Sequence, residues 1–247
     1  MCGIAGFVGK RSVAPVTRNG MLVALASRGP DARHEIAWRD GFARTEQDAV
    51  AALLHTRLSI RDLRTVADQP MANENGDVWL SYNGEVYGWE TDAEELKKRG
   101  YVFKTTSDTE FILNAYHAWG LEGCITKLRG MFAVAILDLR AKKLWLVRDR
   151  LGIKPLVYWH RHGELTFGST VRSVLPYLNP EERKPSASGI DAYLAHRYVP
   201  APHTIFEGIK RLPHGHHACF DLSTGALTLT PYWQPRADNV LDFAATL

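Results

Sequence analysis

The amino-acid sequence predicts an α+β domain in which antiparallel sheets are layered with helices. Segments typical of strands come in pairs separated by only a few residues, and helical segments lie between those pairs. Strands joined by short turns pair antiparallel, because parallel neighbours need a long crossover connection. The pattern therefore favours antiparallel layers over a sheet built from alternating strands and helices.

The first 30 residues predict a strand followed by a helix. Residues 1–9 mix apolar residues with three evenly spaced glycines, which suits a buried strand that another backbone approaches closely. Residues 15–27 carry Val16, Met21, Leu22 and Leu25 at nearly helical spacing. The Gly-Pro pair at 29–30 ends this helix, since both residues interrupt regular structure.

Six further segments are predicted to be strands, because they are rich in β-branched and aromatic residues. They are residues 50–60, 78–87, 131–139, 143–148, 155–160 and 164–168. The dipeptide Asn83-Gly84 is typical of a two-residue hairpin turn, with VWLSY before it and EVYGW after it. A turn at this point would divide the segment 78–87 into two short strands.

Two helices are predicted from their N-terminal capping boxes. The spacing Thr91-x-x-Glu94 predicts a helix that ends at Gly100. The spacing Ser107-x-x-Glu110 predicts a second helix, which ends at the glycine in position 120.

The composition changes near residue 185. Seven of the twelve prolines lie between residues 180 and 235. We therefore expect the compact core to occupy residues 1–185 and a C-terminal extension to occupy 186–247. The extension is expected to contain a helix at 188–198 and one or two short strands.

Composition and charge exclude several function classes. With 247 residues, 45% of them apolar, the chain can form a core without disulfides or structural metals. Its formal net charge of +3 is too small and evenly spread for nucleic-acid binding or attachment to a membrane surface. The first ten residues lack a secretory leader, and the three cysteines form neither a disulfide framework nor a metal site. A cytoplasmic location is expected.

Cys2 is a candidate nucleophile on chemical grounds. If Met1 is removed, the thiol and a free α-amino group belong to the same residue. The reference pKa is about 7.7–8.0 for such an amine and about 8.5 for the thiol. The amine can therefore accept the thiol proton near neutral pH and return it to a leaving amine. The alternative is a small residue without function.

Nine short motifs, taken together and in order, resemble those of the class II glutamine amidotransferases. They are MCGIAGF (1–7), RGPD (28–31), HTRLSIRDL (55–63), DQPM (68–71), YNGEVY (82–87), SDTE (107–110), LRGMFAVAILD (128–138), RDRLGIKPL (148–156) and FGS (167–169). Members of this family are N-terminal nucleophile hydrolases that liberate ammonia from glutamine. The strongest likeness is to the glutaminase domain of glutamine-hydrolysing asparagine synthetases. The resemblance implies a four-layer αββα sandwich with two antiparallel sheets.

The resemblance also implies a role for each site residue. Cys2 would attack the side-chain amide carbon of L-glutamine and form a thioester, while Asn83 and Gly84 hold the oxyanion. Arg57 would bind the substrate carboxylate, and Asp108, ionised at a helix start, would bind its ammonium group. Further pocket residues would be Leu58, Ser59, Ile60 and Glu85, with Arg28 and Asp31 on a loop that closes over glutamine.

Two positions depart from the family pattern. Gly88 stands where relatives commonly have Asn, and Arg61 stands where an aliphatic residue is usual. Both lie next to the predicted pocket, and neither removes a catalytic group. They therefore bear on rate or specificity rather than on the reaction itself.

The sequence contains neither a G-x-x-x-x-G-K-[ST] phosphate loop nor the Ser-Gly-Gly-x-Asp-Ser segment with which asparagine synthetases bind ATP. We therefore expect no cofactor in this chain, and ATP and magnesium only in a separate synthetase domain or subunit that receives the ammonia. Residues 186–247 would lead toward that partner. Aspartate is the default ammonia acceptor, another adenylated carboxylate is the alternative, and a homodimer is left open.

Two other functions compete with this interpretation. The first is an N-terminal nucleophile hydrolase that acts on another amide, and the second is a docking domain without catalysis. A free amino acid is favoured as the substrate, because Arg57 would bind its carboxylate and Asp108 would bind its ammonium group. The presence of Cys2, Asn83 and Gly84 favours catalysis.

Overall fold

Twelve strands form two six-stranded sheets in the computed structural model, which describes residues 1–235. In chain order they are β1 (Gly3–Val13), β2 (Ala32–Trp38), β3 (Ala49–Arg57), β4 (Met71–Ala72), β5 (Val78–Val86), β6 (Gly130–Asp138), β7 (Lys143–Arg148), β8 (Val157–Arg161), β9 (Glu164–Gly168), β10 (Ile209–Arg211), β11 (His216–Asp221) and β12 (Leu227–Pro231). The first sheet has the order β10-β8-β9-β1-β3-β2, and the second has the order β12-β11-β7-β6-β5-β4. Neighbouring strands pair antiparallel throughout, as predicted.

Five α-helices accompany the sheets in the described part of the chain. They are α1 (Pro15–Leu25), α2 (Glu90–Lys98), α3 (Asp108–Lys127), α4 (Val171–Val174) and α5 (Ala187–His196), with short 3-10 segments at Asp40–Phe42, Thr65–Ala67, Leu175–Tyr177 and Pro180–Glu182. None of the helices within residues 1–235 has the length and apolar character needed to span a membrane.

Three apolar clusters show how the layers pack. One lies between the sheets, where Trp38 of the first sheet meets Trp79 of the second edge-on at 5.7 Å between ring centroids. A second joins α1 and α4 to the first sheet through residues such as Met21 and Phe7. The third joins α2 and α3 to the second sheet and includes the fully buried Phe111 of α3. The predicted four-layer αββα sandwich is therefore confirmed.

The predicted hairpin turn at Asn83-Gly84 is wrong. β5 continues through both residues, with Asn83 opposite Ala133 and Gly84 opposite Phe132 on β6. Gly84 does not adopt the positive φ that a two-residue hairpin turn requires. A Cβ atom at this position would lie 2.4 Å from the carbonyl oxygen of Met131. The glycine therefore permits a close approach between strands instead of a change in chain direction.

The two capping predictions have different outcomes. α2 begins after Trp89 without a side-chain cap, so the capping box at Thr91 is wrong. At α3 the cap is half right, because the Ser107 side chain accepts a hydrogen bond from the backbone N–H of Thr109. Glu110 does not reach back to Ser107, since its carboxylate accepts from backbone N–H groups at 104 and 105 instead.

Gly120 kinks α3 without ending it. Its φ of 68° and ψ of −176° are non-helical, and helical structure resumes after it as far as Lys127. The predicted stop is therefore a break between two helical pieces.

β2 is the main strand that the sequence analysis missed. Its segment, ARHEIAW, has an exposed polar half, and only its end is buried. It forms an edge of the first sheet by pairing with β3 alone. An edge strand of this composition carries little apolar periodicity, which explains why it was missed.

Each of the two sheets contains strands that precede residue 185 and strands that follow it. β10 pairs with β8 in the first sheet, and β11 pairs with β7 in the second. The helix expected at 188–198 is present as α5. The division into residues 1–185 and 186–247 stays a prediction, and the last part of the expected extension, residues 236–247, lies outside the described residues.

Candidate active site

A cavity of about 420 Å³ opens where β1 begins and β3 ends in the first sheet, and residues of β5 in the second sheet also line it. Eight of the eleven predicted site residues line it, namely Cys2, Arg57, Leu58, Ile60, Asn83, Gly84, Glu85 and Asp108. A larger cavity of about 620 Å³ lies between the β4–β5 turn and the α2–α3 connection, and none of the predicted residues lines that one. The smaller cavity is therefore the candidate site, because the predicted residues line it and not the larger cavity.

The pairing of β1 with β3 positions Cys2. Gly3 lies opposite Thr56, so the thiol projects beside the last residues of β3. The backbone N–H of Leu58 donates to Cys2 Sγ at 3.4 Å, and Arg28 Nε donates to the Cys2 carbonyl at 3.1 Å. The thiol is therefore held at the cavity wall next to a backbone donor.

Asn83 presents an unpartnered amide to the same cavity. The residue is only 1% exposed, and its Nδ2 has no hydrogen-bond acceptor among residues 1–235. The strand is fixed at the preceding residue, where Gln69 Oε1 accepts from the Tyr82 N–H at 2.6 Å and His55 Nε2 donates to the Tyr82 carbonyl at 3.2 Å. A buried donor without an acceptor destabilises a protein, so the Asn83 amide in this cavity is available to a ligand group that accepts from it.

Asp108 lies at the start of α3 and faces β5. Its Oδ2 accepts from the Tyr82 hydroxyl at 2.7 Å and from the Val86 N–H at 2.9 Å. Burial nevertheless raises the pKa of this carboxyl more than the two donors lower it. Desolvation therefore outweighs the effect of the helix start, which was predicted to favour the ionised form. Burial also raises the pKa of Tyr82, which keeps its hydroxyl protonated as the donor.

Arg57 ends β3 and organises the loop that follows. Its Nη1 donates to Asp68 Oδ1 at 2.5 Å and to the Arg64 carbonyl at 3.1 Å. Its Nη2 donates to the carbonyls of Asp62 and Arg61 at 2.5 and 3.2 Å. The expected strand 50–60 therefore stops at Arg57, because residues 58–64 curl around this guanidinium. The role of Arg57 as the carboxylate ligand stays a prediction.

Arg28, Asp31 and Ser59 flank the cavity without lining it. Asp31 Oδ2 accepts from the Ser59 N–H at 2.7 Å, so the RGPD segment is tied to the loop after β3. Gly29 allows this contact, since a Cβ atom there would lie 2.3 Å from the Thr56 carbonyl oxygen. Closure of this segment over a substrate stays a prediction.

Gly88 and Arg61, the two departures from the family pattern, lie in different surroundings. Gly88 has a φ of 65° in the turn after β5, a conformation that Asn also tolerates. Arg61 lines the cavity and forms an ion pair with Glu85 through Nε.

Lys154 is the charged cavity residue that the sequence analysis missed. It is 6% exposed, and its Nζ lies 3.4 Å from Met1 Sδ. The motif RDRLGIKPL contained the signal, but the motif alone does not show which of its members faces the cavity. The loop that presents Lys154 is built on the buried carboxylate of Asp149, which accepts from the backbone N–H groups of Leu151, Ile153 and Lys154 at 2.9–3.1 Å.

Asp149→Ala is expected to lower the free energy of unfolding by about 3–5 kcal/mol, measured by urea denaturation. The carboxylate is fully buried and also accepts from the Phe132 N–H, so its loss leaves four backbone donors without an acceptor. Asp221→Ala is the control, because Asp221 likewise accepts from two backbone N–H groups but at a turn open to solvent. Equal losses in the two variants would contradict the argument.

Comparison with known proteins shows the family of this chain. A family model for the glutamine amidotransferase domain matches residues 1–233. Glutamine-hydrolysing asparagine synthetase 3 of Bacillus subtilis (strain 168) is 33% identical over 248 residues, covering 98% of this chain and 38% of the relative. Glutamine-hydrolysing asparagine synthetase 2 of the same organism is 34% identical over 250 residues, covering 94% of this chain and 30% of the relative. The chain thus spans less than two fifths of the length of either relative.

Solved structures show the same fold. The glutamine phosphoribosylpyrophosphate amidotransferase of B. subtilis superposes with a TM-score of 0.69 at 16% identity, over 95% of this chain and 50% of that one. A glutamine aminotransferase class-II domain protein from Silicibacter pomeroyi gives a TM-score of 0.52 at 14% identity, over 94% of this chain and 100% of that one. The family match over nearly the whole chain confirms the resemblance. This chain belongs to the family of class II glutamine amidotransferase domains.

Proposed function

We propose that the chain hydrolyses L-glutamine to glutamate and ammonia through a thioester on Cys2. The observation that carries the proposal is the buried Asn83 amide, which has no acceptor among residues 1–235 and lines the same cavity as the Cys2 thiol. A donor fixed in advance, where negative charge develops only during the reaction, is the arrangement that stabilises a tetrahedral oxyanion.

The residues around the thiol perform the acyl transfer. With Met1 removed, the α-amino group of Cys2 accepts the thiol proton, and the thiolate attacks the γ-carboxamide carbon. Negative charge moves to the amide oxygen, which accepts hydrogen bonds from Asn83 Nδ2 and the Gly84 N–H. Collapse of this intermediate expels ammonia, which takes the proton from the α-amino group. Water then attacks the thioester, and glutamate leaves with the thiol restored.

Charged groups in the cavity suit the other end of glutamine. Asp108 is positioned to bind the α-ammonium group, and a cation beside the carboxylate would lower its pKa and so oppose the effect of burial. The guanidinium of Arg57 lines the same cavity and supplies positive charge for the α-carboxylate. A substrate with both charges therefore fits better than an amide with neither.

The released ammonia would be passed to an ATP-activated carboxylate, with aspartate as the first candidate, on a synthetase domain or subunit. The support for this step is that both B. subtilis relatives are named as glutamine-hydrolysing asparagine synthetases. ATP and magnesium would be required there and not in this chain. Ammonia release from glutamine by the chain alone, followed in a coupled assay, tests the first half of the proposal separately from the second.

Active protein is expected to lack Met1. While Met1 is present, the nitrogen of Cys2 is part of a peptide bond and cannot accept a proton. The Met1 side chain is 56% exposed at the cavity, so it does not anchor the chain in the core. Intact-mass measurement of the purified protein checks this, and full activity in a sample that retains Met1 would exclude the α-amino group as the base.

A further inference from the structure

We propose that Gln69 is a positioning residue for the oxyanion donors and acts by holding the backbone of β5 just before Asn83. The inference rests on the proposed function, because it takes Asn83 and Gly84 as the groups that hold the oxyanion. Gln69 belongs to the motif DQPM and is a buried residue in the lining of the candidate cavity.

β5 loses its strand partner on one edge before it reaches the oxyanion donors. β4 is only two residues long, and its pairing with β5 goes no further along β5 than Leu80, opposite Met71. Backbone groups of alternate residues point to the same edge of a strand, so those of Tyr82 and Gly84 lie on one edge. Buried backbone groups need partners, and at Tyr82 the partners cannot come from β4.

Two side chains take the place of the missing strand at Tyr82. Gln69 Oε1 accepts from the Tyr82 N–H at 2.6 Å, and His55 Nε2 donates to the Tyr82 carbonyl at 3.2 Å. Burial lowers the pKa of His55 to about 4, so its ring is neutral near pH 7 and carries one proton, on the nitrogen that faces the carbonyl. Since β6 pairs with the other edge of β5, the strand is held on both edges at this residue.

Both oxyanion donors depend on the backbone of β5 for their position. Asn83 Nδ2 has no hydrogen-bond acceptor among residues 1–235, and the Gly84 donor is itself a main-chain N–H. A small displacement of the strand would therefore move both donors away from the oxygen on which charge develops. Gln69 opposes such a displacement through the residue directly before Asn83.

Gln69 is itself fixed from the other side of the cavity. Its Nε2 donates to Thr109 Oγ1 at 3.2 Å, and Thr109 is a buried residue that follows Asp108 in α3. A carboxamide accepts at its oxygen and donates at its nitrogen, so Gln69 joins β5 to α3 with both polar atoms. An apolar side chain of similar length would fill the space but make neither bond.

The test compares Gln69→Met in the wild-type chain and in the Asn83→Ala chain by steady-state assays of ammonia release. In the wild-type chain it is expected to lower kcat about 10-fold with little change in KM, because the oxyanion forms only after glutamine has bound. In the Asn83→Ala chain it should lower kcat less than about 3-fold, because one of the donors that Gln69 positions is already absent. A general loss of structure would lower kcat by the same factor in both chains.

Thr109→Val is a milder second variant, which also serves if Gln69→Met does not fold. It removes the acceptor of Gln69 Nε2 and leaves the bond to Tyr82 in place. A smaller fall in kcat, of about 2- to 5-fold, is therefore expected in the wild-type chain, and little further fall in Asn83→Ala.

Asn73→Leu is the matched control. The Asn73 side chain also accepts from a backbone N–H of β5, that of Val78 at 3.1 Å, but at the far end of the strand and outside this cavity. This variant should unfold at a lower urea concentration and keep the kcat of the wild type. A wild-type kcat in Gln69→Met, or an equal fall in both chains, would overturn the role of Gln69 while leaving the glutaminase proposal intact. A wild-type chain that releases no ammonia from glutamine would overturn both.

Discussion

Cys2→Ala is expected to abolish ammonia release from glutamine, by at least about 10⁴-fold in kcat, while leaving the fold unchanged. The proposed thioester requires sulfur, and an alanine side chain cannot replace it as a nucleophile. The Cys2 thiol makes only weak contacts with the backbone of Leu58, at 3.4 and 3.7 Å, so its loss removes little stability. Thermal unfolding of the variant, with a Tm close to that of the wild type, would separate loss of chemistry from loss of structure.

The other two cysteines provide the controls for Cys2. Cys124 is buried in the helical layer, and burial raises the pKa of its thiol to about 12, so it is not a nucleophile near pH 7. Cys219 lies on β11 outside the cavity. Cys219→Ala should therefore retain activity. A diazo or chloroketone analogue of glutamine should alkylate Cys2 alone, as peptide mapping would show, and labelling of Cys219 instead would contradict the assignment.

The sequence was sufficient to predict the cavity because its residues stand in short motifs tied to regular structure. Cys2 precedes β1, Arg57 ends β3, Asn83 lies in β5, and Asp108 follows the N-cap of α3. The pairing of β1 with β3, and the packing of α3 on the second sheet, bring these separate segments together. The antiparallel α+β layering followed from the paired strands and the helices between them, whereas the αββα layer order was predicted from the family resemblance.

What the sequence could not predict depends on contacts made after the chain folds. The dipeptide at 83–84 has the residues of a hairpin turn, yet the close approach of β6 keeps it extended. Arg57 was expected to bind the substrate carboxylate, which stays a prediction, but its sequence position does not show that its Nη atoms donate to four acceptors of the surrounding chain. Burial decides the pKa of Asp108, and burial cannot be deduced from its position at a helix start. Each of these features arises from tertiary contacts that local sequence preferences do not contain.

Substitution of Asn83 tests the oxyanion proposal more directly than substitution of Cys2 does. Asn83→Ala is expected to lower kcat about 10²- to 10³-fold, which corresponds to about 2.7–4 kcal/mol of lost transition-state stabilisation, with a much smaller change in KM. Asn83→Asp should be at least as inactive, because it keeps the shape but replaces the donor by an acceptor that repels the developing charge. Steady-state assays of ammonia release measure both.

Stability should change little in Asn83→Ala although activity falls, because the Nδ2 of Asn83 has no acceptor to lose among residues 1–235. Removing an unsatisfied buried donor relieves a cost of about 1–3 kcal/mol, which offsets the packing lost on truncation, so Asn83→Ala should unfold at nearly the same urea concentration as the wild type. Asn114 is the matched control, since its Nδ2 is also buried without a partner but lines the larger cavity. Asn114→Ala should therefore keep its kcat. If Asn83→Ala instead lost stability and activity in proportion, the amide would be a structural group, and the oxyanion would have to be held elsewhere.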